Sequence, residues 1–107
     1  MMILGVTALA GKTSRARQTA YYSITGYVSD TTGRFCAGLT SAVTVYTSVS
    51  ETSFATAFTN GRTIYATTAL TTQADSKVYA DTAGGSREET SYTWVKASGW
   101  ASSDVCP

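Results

Sequence analysis

The residues able to do chemistry are few, and their spacing argues against catalysis. The 107-residue chain contains no His, which removes the commonest general base and the commonest metal ligand. Its seven carboxylates are Asp30, Glu51, Asp75, Asp81, Glu88, Glu89 and Asp104. Only Glu88 and Glu89 are adjacent, and neighbours on an extended chain point to opposite faces. Asp81 and Asp104 would have to meet across strands to form a pair flanking a glycosidic bond. Asp75 and Asp81 are too sparse for a calcium loop. The expectation is no catalytic residue, no metal site and no cofactor.

Gly11-Lys12-Thr13 has the ending of a phosphate-binding loop, but that motif needs a Gly at position 6, which is Val here. No βαβ pattern surrounds it. The segment reads as a linker or a basic arm, since Lys12, Arg15 and Arg17 place three positive charges within six residues.

The two Cys, Cys36 and Cys106, lie far apart. Without a Cys-x-x-Cys pair or any His they do not read as a zinc site, and a nucleophilic Cys would lack its base. Two readings stay open. A disulfide would close a long loop and stabilise by roughly 4 kcal/mol; two reduced thiols suit a reducing compartment.

The elements that position these residues are short strands. The chain holds 20 Thr, 13 Ser and 7 Tyr, and only 14% charged residues, with a net charge of +1. Such a composition fits pleated, half-buried surfaces, and the charge gives no reason to expect a nucleic-acid or membrane partner. No apolar run approaches the ~20 residues of a membrane span. Strands are expected at 19–28, 42–49, 63–67, 76–81, 90–97 and 100–105, with a short one at 34–37. Within 19–28, Gly26 marks a bulge or a close backbone approach. Asp30-Thr31-Thr32-Gly33, Asn60-Gly61 and Ala83-Gly84-Gly85-Ser86 read as turns. Residues 50–60 read as a helical turn or a loop anchored by Phe54 and Phe58. The fold class expected is all-β: a small antiparallel β-sandwich or barrel-like domain with an extended N-terminal segment.

That N-terminal segment starts with the apolar run Met1-Met2-Ile3-Leu4. Ala8-Leu9-Ala10 imitates a cleavage site, but no basic residue precedes the run and it is short for a signal peptide. We expect a docking arm at 1–18, with contacts through Met1, Met2, Ile3, Leu4, Lys12, Arg15 and Arg17, and a single β domain at 19–107. Tyr21, Tyr22, Trp94 and Trp100 are the aromatics to consider as surface contacts. The two Trp suit a core better, since a domain of this size is expected to bury at least one Trp.

Several short segments resemble one known family. Val45-Tyr46-Thr47, Gly61-Arg62-Thr63-Ile64-Tyr65, Leu70-Thr71-Thr72, Tyr79-Ala80-Asp81 and the late Cys106 are similar to an uncharacterised small β-domain. That domain recurs in Bacteroidetes cell-surface proteins and in phage structural proteins. The resemblance spans about residues 43–106. One departure is Thr82-Ala83-Gly84 after Tyr-x-Asp, where the family has Gly directly. The resemblance implies a display or adhesion module and transfers no catalytic residue.

The function expected is therefore a non-enzymatic structural protein of a virion surface: a head decoration, fibre or tail-associated phage protein. Its partners would be other virion proteins in a homo-oligomer, with a host surface glycan as a further contact. The location would be the virion surface or extracellular. The alternatives are a secreted filament subunit or adhesin that assembles by strand addition, and a carbohydrate-binding module.

Overall fold

A computed structural model describes residues 20–107. The arm residues Met1, Met2, Ile3, Leu4, Lys12, Arg15 and Arg17 lie outside the described residues. Five strands form one antiparallel sheet: β1 (Tyr22–Ser29), β2 (Ser41–Thr47), β3 (Lys77–Ala80), β4 (Thr90–Val95) and β5 (Gly99–Val105). Their spatial order is β2-β1-β3-β4-β5. Two short helices complete the set, α1 (Thr32–Cys36) and α2 (Phe54–Thr59).

The fold is all-β and antiparallel, as the alternation in the sequence implies. The layer that covers the sheet is a helix with loops rather than a second sheet. Ile24, Val45, Tyr79 and Trp94 point to one face and are buried. Phe54 and Ala57 from α2, with Ile64 and Ala74 from the long β2–β3 connection, close over them. That connection carries the chain from the β2 edge across β1 to β3. It can lie close to the sheet because position 26 is Gly. A Cβ there would sit 2.5 Å from the Ala80 carbonyl oxygen and 2.7 Å from Phe54 Cε2.

The opposite face carries a smaller core under α1: Phe35, Val78, Ala80 and Cys106, with Cys36 against it. Cys36 and Cys106 are joined in a disulfide, with Cα atoms 5.5 Å apart. Of the two readings left open by the sequence, the structure has the bond. It ties the chain end after β5 to the helix between β1 and β2.

Two expected strands are absent. Residues 34–37 are not a strand: Phe35 and Cys36 close α1, and Thr31 Oγ1 caps it by accepting from Arg34 N–H at 3.1 Å. Residues 63–67 form no strand either: Tyr65 makes two isolated antiparallel bridges, one to Tyr46, with which it exchanges both backbone hydrogen bonds at 2.9 and 2.8 Å, and one to Gln73. Asn60-Gly61 is a turn, as the sequence implies, and the element it ends is α2. Gly61 N–H donates to Phe58 C=O and Arg62 N–H to Ala57 C=O, with Gly61 at φ 67°. This is the glycine-terminated helix end of a Schellman motif. The same arrangement ends α1, where Leu39 N–H donates to Arg34 C=O.

Candidate interaction surfaces

The titratable groups are mostly spent on holding the domain together. Asp81, just past β3, accepts Phe54 N–H at 2.6 Å and Ala55 N–H at 3.1 Å. It therefore caps the first turn of α2 and fixes that helix on the sheet. Its partner in a hypothetical acid pair, Asp104, belongs to the other face by strand alternation, beside Ser91. The two do not converge.

Glu51 is buried and accepts Arg62 Nε–H at 2.8 Å and Asn60 Nδ2–H at 2.9 Å. Those hydrogen bonds, Arg62's foremost, lower its pKa to about 2. Glu89 accepts Ser86 N–H at 2.9 Å. A hydrogen bond with the Thr82 side chain, then that from Ser86, holds its pKa below the ordinary carboxylate value. A recess of about 300 Å³ lies between Asp81, Glu88, Glu89 and Tyr92. Two of its three carboxylates are thus already committed to backbone donors. Among the described residues no group of three or more His, Cys, Asp or Glu could hold a metal ion.

Lys77 and Asp30 form an exposed ion pair between β3 and the end of β1. Amide formation between such a pair would need a neutral amine and a protonated carboxyl. Their mutual hydrogen bond works the other way, lowering the Asp30 pKa and raising that of Lys77. The contact is an ion pair, and its two residues line a second, smaller recess together with Arg34 and Leu39.

The aromatics divide into two groups. Trp94 is 1% exposed and donates its Nε1–H to Ala74 C=O at 3.0 Å, so it is a core residue and not a surface contact. Trp100 packs edge-on to it at 5.0 Å between ring centroids, and against Phe58, Tyr79 and Tyr92. Its Nε1–H is donated inward to Arg62 C=O at 2.7 Å. The reason is register. Trp94 faces the layer beneath α2 by alternation with Tyr92, and the irregularity between Thr93 and Trp94 brings Trp100 opposite it, onto the same face. Tyr21 and Tyr22, by contrast, are exposed, and Tyr21 meets Tyr46 edge-on at 5.7 Å.

Two outward features remain. One is the uncovered part of the sheet on the α1 side, where Ser23, Thr25 and Thr44 are exposed and a Thr25–Thr44 hydroxyl contact spans β1 and β2. Tyr21 and Tyr46 border it. The other is the edge strand β5, in which Ala101 to Val105 are all exposed and Val105 reaches 61%. Sequence reading missed the edge, because strand order depends on pairings between distant segments and leaves no local signal. It also missed the role of Asp81. A carboxylate at a strand end is ordinary until the helix it caps is placed.

Family models, curated proteins and solved structures were compared with the chain, and none matches. No helix among the described residues is long and apolar enough to cross a membrane.

Proposed function

We propose that this chain is a non-enzymatic structural protein whose work is contact, and that its setting is a virion surface, as a head decoration, fibre or tail-associated protein. The observation that carries the reading is the division of its polar groups. Carboxylates at 51, 81 and 89 are bound to the domain's own donors, while the outward sheet face offers uncharged hydroxyls and Tyr rings. A reaction centre wants titratable groups free and convergent. A contact surface wants a rigid scaffold and a low-charge, aromatic-bearing exterior. The virion setting rests on the resemblance to phage structural domains and on an uncharged apolar start, Met1 to Ala10, suited to docking on a neighbour.

The second reading, a secreted filament subunit that assembles by strand addition, is favoured by the exposed β5 edge. A carbohydrate-binding role would want exposed coplanar aromatics, and both Trp side chains turn inward.

Size-exclusion chromatography with light scattering tests the proposal on the full chain and on a variant lacking residues 1–18. Assembly that weakens on deletion supports the docking arm. A stable monomer, unchanged by the deletion, contradicts it.

A further inference from the structure

The two edges of the sheet are treated differently. At the β2 edge, Tyr65 pairs with Tyr46, and the chain folds back beyond it, with Ala66 N–H donating to Thr72 C=O at 2.8 Å and Ala74 N–H to Ile64 C=O at 3.0 Å. That edge is covered at its Tyr46 end, while Ala42 and Thr44 of β2 stay exposed. At the β5 edge, no described residue pairs with the outer side of the strand.

The outward-turned groups follow from the ladder. Cys106 directs both its N–H and C=O toward the β4 side, donating to Glu89 C=O and accepting from Glu88 N–H, each at 2.9 Å. Alternate residues of an antiparallel strand face the same neighbour. Asp104 and Ser102 therefore turn toward β4, and Ser103 and Val105 present N–H and C=O outward. The irregularity in the β4–β5 pairing falls at the Trp100 end and leaves 102–105 regular.

Open edges usually carry protection against self-pairing: a Lys, a Pro, or a strand too short to add to. β5 is seven residues long and contains no Lys, Arg or Pro. Its single charge is Asp104. In the two-fold antiparallel register centred on Ser103, each Asp104 lies opposite Ser102 of the other copy, so a hydroxyl meets the carboxylate and like charges stay apart. Val105 lies opposite Ala101, which shelters the most exposed large apolar side chain among the described residues.

We infer that β5 pairs with β5 of a second copy, Ser103 against Ser103, joining two sheets into one of ten strands. The inference rests on the assembly reading above and names the surface it would use. Self-pairing needs the same patch on both subunits, as a two-fold interface requires, and Ser103 as its centre meets that condition without setting like charges opposite each other.

Amide hydrogen exchange on the full chain, measured from micromolar to millimolar concentration, tests it. The Ser103 and Val105 amides should slow at least tenfold as concentration rises, while amides of residues 3–10 keep their rates. In S103P, which removes an outward N–H from a strand edge where Pro is tolerated, and in V105K, which adds an edge charge, dimerisation by sedimentation should weaken at least tenfold. Concurrent, concentration-dependent protection of residues 3–10 would make the N-terminal segment the occupant and overturn the inference. Assembly unaffected by both variants would overturn it while leaving the assembly reading standing. A monomer throughout would remove both.

Discussion

Phe54 occupies the space that any side chain at residue 26 would need. Its Cε2 would lie 2.7 Å from a Cβ on Gly26, with the Ala80 carbonyl oxygen at 2.5 Å on the other side. One element is a central strand and the other the first residue of α2, so this pair sets how closely the helical layer approaches the sheet. G26A should destabilise the domain by about 1–3 kcal/mol, the range for an overpacked core. Combined with F54A, its added cost should shrink, because the ring it strikes is gone. Urea unfolding of the two single variants and the double variant measures the coupling.

The disulfide joins α1 to the segment after β5 across 70 residues of sequence. Replacing both Cys by Ala should cost roughly 4 kcal/mol, mostly through the freed unfolded chain. Denaturant unfolding of C36A/C106A against the oxidised parent gives the figure. A loss under about 1 kcal/mol would mean that α1 and Phe35 hold that end without the bond.

Ser91 lies in β4, fully buried, and its hydroxyl has no hydrogen-bond partner among the described residues. A buried unmatched hydroxyl carries a desolvation penalty of about 1–3 kcal/mol. S91A should therefore be neutral or stabilising, by up to about 1 kcal/mol once the small lost volume is counted. The midpoint in urea should rise or hold, with an unchanged slope.

Much of the fold was legible in the alternation. Val43, Val45 and Thr47 show a period of two, and Ile24 with Gly26 marks the inner face of β1. Each strand appears close to where that pattern puts it. What escaped was short or non-local. α1 has five residues, too few to show a helical period, and Arg34-Phe35-Cys36 looks extended when read alone. Asn60-Gly61 satisfies a hairpin and a helix end equally well, because both need a positive φ. Trp94 and Trp100 have the residue type of a surface contact. Trp94 points inward by the ordinary alternation of β4, and Trp100 joins it through a local irregularity in strand pairing, to which composition is blind.

Stability should depend on pH at both ends of the scale. Glu51 is held at about 2 against an ordinary 4.5, and Asp30 and Glu89 are lowered as well. A carboxyl whose folded value is depressed stabilises above its unfolded value, and that stability is lost as pH falls through the folded one. The thermal midpoint should drop between about pH 4.5 and 2, and less steeply in E51Q. At the alkaline end, burial raises Tyr79 from 10.0 to about 12. Its contribution is complete below pH 10.0 and should fade toward 12, a limb that Y79F should flatten. Calorimetry across both ranges checks the signs.

The claim that this is a contact protein built to assemble is tested most directly by sedimentation velocity of the intact, oxidised chain over a micromolar to millimolar series. The account predicts a sedimentation coefficient that rises with concentration as copies associate. A single monomeric species over the whole series would contradict it.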